Sequence, residues 1–303
     1  MYNGMLAVYK PKGMTSHDVV FKLRKILKMK KIGHTGTLDP EVEGVLVVCL
    51  GKATRLVELL MDSPKVYRGE VTLGFLTETE DAHGQVVESK KVQEPFTTEE
   101  IDATMATFEG VIEQTPPMYS AVKVNGKKLY EYAREGLEVQ RPRRKAEIYS
   151  LKRVNEPKFN EEEGAQTWEF DVHCGKGTYV RTLAVDIGKK LGYPAHMSHL
   201  IRKETSGFNE KSAYSLEEIQ AYVDKGEVET IIRSIEETIK DLPKIELNTE
   251  QYTKIKNGQV LDLNFFNEPI ISKTALYYEG NLIAIYHQHP NKKEYIKPYK
   301  MFT

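Results

Sequence analysis

The chain has 303 residues, 40% of them hydrophobic and 29% charged, with a net charge of −1. That length supports a large core and two domains, and no apolar run approaches the roughly 18 residues that span a membrane. The first residues, Met1-Tyr2-Asn3-Gly4-Met5, lack a basic stretch followed by an apolar one, so no signal peptide is read and a cytoplasmic location is expected.

Residues 6–9 read as a short strand ending at Lys10-Pro11-Lys12-Gly13, a turn expected to expose two ammonium groups. Ser16 is the expected cap of a helix with Asp18 in its first turn. Val19, Val20, Leu23, Ile26 and Leu27 follow helical spacing there. Next comes Gly33-His34-Thr35-Gly36-Thr37-Leu38-Asp39-Pro40, a glycine-rich loop before the buried strand 45–50. A helix is read from about residue 52 to 60, a strand over 67–73 and a polar loop over 77–84. Thr97 and Glu100 form a capping box for a helix expected to end near Gly110. Residues 116–123 read as a loop entering a strand, 129–135 as a short helix closed by Gly136, and 141–145 as a basic turn.

Residues 148–154 and 167–174 read as strands, with Trp168, Phe170, Val172 and Cys174 alternating onto one face. The segment 175–181 turns into a helix with Leu183, Ala184, Ile187 and Leu191 inward, stopped by Gly192. Residues 196–203 read as a strand, and Ser215 with Glu218 caps a helix that ends at Gly226. The character changes after Asp241-Leu242-Pro243: a small helix at 250–256 is followed by a hairpin, 275–278 and 282–286, around Glu279-Gly280-Asn281. Helices mixed with hairpin-connected strands, without a βαβ rhythm, indicate an α+β fold. Residues 1–240 are read as the main domain and 241–303 as a small, mostly β appendage.

Charge is unevenly distributed. Residues 22–31 hold six basic groups (Lys22, Arg24, Lys25, Lys28, Lys30, Lys31) and no acid, and residues 123–153 hold ten basic and four acidic groups. Residues 78–113 reverse the balance, with ten acids and two lysines. Such clustering gives phosphates a local basic footprint despite a neutral total; for any single run a solvated helix face is the commoner outcome. Cys49 and Cys174 lie in apolar segments and read as reduced core residues. His173 beside Cys174 points to the other face of its strand, so no metal site is expected.

Phosphate-loop, dinucleotide and serine-hydrolase patterns do not occur. What remains is a carboxylate in a glycine-rich loop, an arginine near a helix start and several loop tyrosines. A carboxylate can act as a nucleophile without a base, because it is ionised near neutral pH. Arg181 is the arginine best set to pair with Asp39 and orient it. Tyr67 could stack on a planar substrate, at about 1–3 kcal/mol per base. Each also has a plain reading: Asp39 as a helix cap with Pro40 at the first helical position, Arg181 as a surface charge, Tyr67 as a half-buried strand residue.

The stretch 33–56, GHTGTLDPEVEGVLVVCLGKATRL, closely resembles the active-site motif of the TruB family of tRNA pseudouridine synthases. Four further blocks follow the family's order: KPKGMTS at 10–16, KVYR at 65–68, PPMYSAVKVNGKKLYEY at 116–132 and CGKGTYVRT at 174–182. The resemblance covers roughly the first 210 residues, and the tail resembles the family's PUA-like RNA-binding domain. It implies a pseudouridine synthase fold with a central mixed or antiparallel sheet flanked by helices, and a contact loop for RNA at about 123–153. It implies Asp39 as nucleophile, Arg181 as its partner and Tyr67 as the residue stacked on the base. It implies His34 as a wedge in the RNA loop and Leu200 as an apolar wall against the base. Lys10, Lys176, Tyr179 and Asp81 fall at matching positions on the RNA side, although the acidic loop around Asp81 departs from the family pattern.

The implied reaction converts uridine to pseudouridine at position 55 in the T-loop of tRNA, after the base is flipped out. No metal or organic cofactor, no membrane and no obligate protein partner are expected, and a monomer is expected to act on the T-arm of tRNA. Two rivals remain: a non-catalytic RNA-binding or RNA-folding module, and a guide-dependent synthase of the dyskerin type.

Overall fold

Strand β1 (Gly4–Lys10) runs antiparallel to a later strand along its whole length, Gly4 opposite Leu50 and Lys10 opposite Gly44. A computed structural model describes all 303 residues. Helix α1 (Ser16–Ile26) comes next, then β2 (Ile32–His34) and β3 (Glu43–Leu50), the partner of β1. The apolar run in β3 does not alternate, because both of its faces are covered. Leu6, Val8, Leu46, Val48 and Leu50 face one core; Met5, Ala7, Val45, Val47 and Cys49 face another. The cap of α1 is Thr15, which exchanges hydrogen bonds with Asp18, and not Ser16 as expected. The Ser16 hydroxyl is engaged elsewhere, with both backbone groups of Leu38.

A 3₁₀ turn at Gly51–Leu56 leads into α2 (Val57–Met61) and then β4 (Lys65–Leu73). The hairpin β5 (Phe75–Thr77) and β6 (Val86–Ser89) carries the polar loop between them. The Thr97–Glu100 box caps α3 (Thr98–Ala106), which ends before Gly110; that glycine instead opens β7 (Gly110–Gln114). Strands β8 (Lys123–Val124) and β9 (Lys127–Lys128) meet at Asn125-Gly126, both with positive φ, as a two-residue hairpin turn requires. After α4 (Leu129–Arg134), β10 (Arg144–Arg153) takes in part of the predicted basic turn. Then come β11 (Lys158–Asn160), β12 (Ala165–Cys174), α5 (Val180–Leu191), β13 (Ala195–Thr205), β14 (Phe208–Asn209) and the helices α6 (Leu216–Asp224) and α7 (Ile235–Thr238).

The first sheet has ten strands, with the order β1-β3-β13-β4-β12-β10-β7 and with β2, β11 and β14 as side pairings. Only β3 and β13 are parallel, so the sheet is mixed and the fold is α+β with flanking helices, as the sequence indicates. The remaining elements are β15 (Lys244–Glu246), α8 (Thr249–Ile255), β16 (Leu261–Asp262), β17 (Thr274–Tyr278), β18 (Asn281–Gln288) and β19 (Tyr295–Met301). Their strands form a second sheet, β15-β17-β18-β19-β16. Ala275, Tyr277, Ile285 and Phe302 of this part pack on the back of β1 and β3, while Leu276, Ala284 and Tyr286 belong to its own core. Burying each large apolar side chain contributes about 1.5–3 kcal/mol, so the second sheet braces β3 from behind. No helix is long and apolar enough to cross a membrane.

The parallel contact between β3 and β13 depends on one glycine. Gly44 has φ of 111°, and a Cβ there would lie 2.2 Å from the Arg202 carbonyl oxygen. Gly44→Ala is therefore expected to cost about 3 kcal/mol through strain and clash together. The check is urea unfolding: the midpoint should fall with little change in slope.

Candidate active site

Three anchors hold the segment that carries Asp39. Leu38 is buried, its N–H donates to Ser16 Oγ at 2.9 Å, and Ser16 donates back to the Leu38 carbonyl at 3.2 Å. The Pro40 carbonyl accepts from Lys10 Nζ and from the Gly13 N–H, both at 3.0 Å. Between them Asp39 opens a turn, closed by the Val42 N–H donating to its carbonyl at 3.1 Å. Proline at the second position suits such a turn. No helix follows, so the helix-cap reading of Asp39-Pro40 does not hold. The backbone is pinned while the Asp39 side chain stays 47% exposed.

Arg181 faces that carboxylate, Nη2 to Oδ2 at 3.1 Å, and its own side chain is only 9% exposed. Its Nη1 donates to the Thr79 carbonyl at 2.9 Å and its Nη2 to the Tyr119 carbonyl at 3.0 Å. Asp81 Oδ2 stands 3.7 Å from Nη1. Gln114, buried at the end of β7, fixes the start of α5: its Oε1 accepts from the Tyr179 N–H and its Nε2 donates to the Tyr179 carbonyl. The loop between β5 and β6 is equally constrained. Asp81 Oδ1 accepts from Thr79 Oγ1 and from the His83 N–H. Glu80 holds a left-handed backbone, φ 63°, and accepts from Thr182 Oγ1 at 2.6 Å. Burial pushes the Glu80 carboxyl up, against the Thr182 hydroxyl and the Arg181 and Arg141 guanidinium groups.

Tyr67 lies on β4 between Arg202 of β13 and Val172 of β12. Burial raises its phenol above the ordinary range, and the Arg202 guanidinium facing it pulls the other way. Leu200, opposite Gly69, is buried in the main core on the same side of the sheet. His34 ends β2 half-buried, with its Nδ1 enclosed and unbonded. Burial pushes its imidazole below 6.5, with His17 and Arg202 adding to the effect, so the ring is neutral at pH 7. Lys65, two residues before Tyr67, donates to the Met61 and Ser63 carbonyls. Burial beside Arg202 brings its ammonium down to about 8.

Asp39, Arg181 and Asp81 are thus in direct contact, with Tyr67, His34 and Leu200 on the elements around them. Tyr179 is half-exposed at the cap of α5. One lysine sits otherwise than expected. Lys10 is fully buried, bonded to the Pro11, Met14 and Pro40 carbonyls, and therefore holds the loop rather than facing RNA. Lys176 is exposed and paired with Asp62 at 2.7 Å. No cluster of three or more His, Cys, Asp or Glu gathers to hold a metal ion. Ser16, Gln114, Glu80, Thr182 and Arg202 escape sequence reasoning. Buried polar residues in apolar segments are the signal that points to the last of these.

A half-exposed carboxylate locked to a buried guanidinium, beside a half-buried tyrosine on a mixed sheet, defines a site for covalent or electrostatic work on a planar substrate. The family model described as "TruB family pseudouridylate synthase (N terminal domain)" matches residues 24–180, and "tRNA pseudouridylate synthase B C-terminal domain" matches 181–240. Residues 241–303 lie beyond both. The chain is 51% identical over 300 residues to tRNA pseudouridine synthase B of Halalkalibacterium halodurans, covering 99% of this chain and 97% of that one. It is 51% identical over 307 residues to the protein of the same name from Staphylococcus haemolyticus, covering 100% of both. Among solved structures it superposes on a Cbf5–Nop10–Gar1 complex with a TM-score of 0.73 at 26% identity, over 99% of this chain and 85% of that one. The chain belongs to the TruB family of pseudouridylate synthases, isomerases that make pseudouridine.

Lys65 offers a pH test of the buried charge near the site. The folded chain releases this proton near pH 8 and the unfolded chain near 10.5. Between those values the unfolded state binds more protons, so stability climbs with pH. In Lys65→Met that climb is absent. Urea midpoints should show the wild type gaining on the variant from about pH 8 to 10.5 and a constant gap below pH 8.

Proposed function

We propose that this chain isomerises the uridine at position 55 in the T-loop of tRNA, with Asp39 as the attacking carboxylate. The observation that carries this is the Asp39–Arg181 pair: an exposed carboxylate oriented by a buried cation, on a loop whose backbone is hydrogen-bonded on both sides of Asp39. The N-glycosidic bond from N1 to the ribose breaks, the base turns, a bond from the ribose to C5 forms, and the C5 proton leaves while N1 gains one. Arg181 keeps Asp39 aimed. Tyr67 stacks on the flipped base, Leu200 lines the apolar side, and the neutral ring of His34 fills the vacated stack. Dry walls keep water from the cleaved sugar.

Residues Lys22, Arg24, Lys25, Lys28, Lys30 and Lys31 are all exposed, and none forms an ion pair with an acid. They run directly into β2 and His34, which supports a phosphate footprint beside the wedge. In the 123–153 segment several cations are already paired, among them Lys127 with Glu135, Arg143 with Glu113 and Arg153 with Asp102. The helix α1 face is thus the less neutralised of the two. Residues 1–240 serve as the catalytic unit and 241–303 as a PUA-like RNA-binding unit braced against it. The enzyme acts as a monomer in the cytoplasm.

A guide-dependent mode is the second reading, because a solved structure of this fold carries Nop10 and Gar1. The full-length match to proteins named tRNA pseudouridine synthase B favours direct recognition of tRNA. Release of tritium from C5-labelled tRNA without guide RNA separates the readings, and its absence would reject direct recognition. Asp39→Asn is expected to abolish release while tRNA binding stays within about twofold. Substantial release by that variant would sink the nucleophile assignment. Replacing Lys22, Lys30 and Lys31 together by alanine should weaken tRNA binding and flatten the plot of log Kd against log salt. Each lost phosphate contact removes about 0.7–1 from the slope; an unchanged slope counts against this footprint.

A further inference from the structure

One side chain links the β5–β6 loop to the turn that carries Asp39. His83 stands beside two carboxylates on different segments: its Nε2 is 3.5 Å from Glu41 Oε2 and its Nδ1 is 3.6 Å from Asp81 Oδ1. Glu41 is the third residue of the turn that Asp39 opens and Val42 closes. Asp81 reaches Arg181, and Arg181 holds Asp39. The contacts form a ring: Asp39, Arg181, Asp81, His83, Glu41, and back to Asp39 through the backbone of the turn.

Whether the ring closes depends on charge. A neutral imidazole has one N–H and one bare lone pair, an imidazolium has two N–H groups, and an ionised carboxylate only accepts. A neutral His83 can therefore serve one of its two acids and turns a lone pair toward the other. Protonation gives each carboxylate a donor and sets one positive charge between two negative ones. Histidine is the side chain whose charge ordinarily changes between about pH 5 and 8. The other charged groups of this corner are fixed in place. Glu78 lies against Gly84, Glu80 is turned to Thr182, and Arg181 faces Asp81 from α5. Lys10 of β1 is bonded to the carbonyl of Pro40, the residue before Glu41.

The two halves of the ring differ. Asp81 Oδ1 also accepts from Thr79 Oγ1 and from the His83 N–H, so that half stays in place whatever the state of the imidazole. His83 is the sole side-chain partner of Glu41, so that half depends on the ring proton.

We propose that His83 is a positioning residue for pseudouridine formation, a strap that ties the Asp39 turn to the β5–β6 loop when its imidazole is protonated. This rests on the reading of Asp39 as the attacking carboxylate. With the strap closed, the turn is held from its outer side as well as by Lys10 and Ser16, and less ordering remains when the base arrives. With the strap neutral, Glu41 is released.

The test compares the full chain with His83→Gln, which is neutral at every pH, by tritium release from C5-labelled tRNA. Single turnovers are followed with enzyme in saturating excess, from about pH 8.5 down to about pH 5.5, a range that spans histidine titration. Dividing the two rates removes every titration common to both proteins. The ratio of wild type to variant is expected to rise about threefold toward low pH, the size that exposed ion pairs reach. Its midpoint should coincide with the titration of the imidazole NMR signal that His83→Gln lacks. In the Glu41→Gln background the same ratio should stay level, because the strap has no second acid to reach. A ratio that stays level in the native background, falls toward low pH, or rises equally with Glu41→Gln overturns the proposal. A rise seen only in the tRNA Kd and absent at saturation makes His83 an RNA contact and overturns it too. No release from the wild type, or full release by Asp39→Asn, overturns instead the functional reading beneath it.

Discussion

One guanidinium joins the separate loops of this site. Arg181 contacts Asp39 from the loop after β2, Thr79 and Asp81 from the β5–β6 loop, and Tyr119 from the segment before β8. These segments are far apart in sequence, and none has a regular structure that would fix its height above the sheet. A buried cation demands compensation, and charge-assisted hydrogen bonds are the strong kind. The loops converge because the charge must be satisfied, and the site inherits its shape from that demand. Gln114 and Thr182 then hold the arginine's own helix and its neighbour Glu80 in register.

The sheet supplies the rigidity that this convergence needs. β3 has apolar neighbours on both faces and is paired along both edges, so its first residues cannot shift without opening one core or the other. The parallel junction at Gly44 brings the Arg202 backbone against the start of β3. Lys10, at the end of the neighbouring strand, reaches back to the Pro40 carbonyl. The loop carrying Asp39 is therefore fastened to β1, to β13 and, through Ser16, to α1. A carboxylate held on such a loop is preorganised, since less ordering remains to be done when substrate arrives.

Much of this was legible in the sequence where the governing forces are local. The Thr97–Glu100 and Ser215–Glu218 caps were readable because each bond spans three residues. The alternation in β12 and the β17–β18 hairpin were readable for similar reasons. Thr15 and Ser16 could not be told apart locally, since both bear hydroxyls and only the distant Leu38 decides between them. β6 is exposed throughout and β19 contains Pro298, so neither shows a strand's usual pattern; pairing with a partner defines them. Asp39 and Arg181 stood out by their settings and Asp81 by family resemblance, and the contact of Arg181 with both acids is seen in three dimensions. Lys10 looked like a surface charge beside Pro11 and Lys12, but long-range carbonyls draw it inside. Arg202 passed unnoticed because nothing in its own segment shows that Tyr67 and Gly36 will meet it.

The back of β1 and β3 is closed by Ala275, Tyr277, Ile285 and Phe302, and the Phe302 N–H bonds to the Ile283 carbonyl. Chains emerge from the ribosome N-terminus first. The earliest strands to be made therefore keep part of one oily face uncovered until the last strands have followed, although Leu56, Leu60, Phe208 and Ile235 cover some of it sooner. The half-made chain carries the elements of its catalytic loops before it carries the cover for its own sheet. During synthesis that face is a hazard for clumping with other nascent chains, and a natural station for a chaperone.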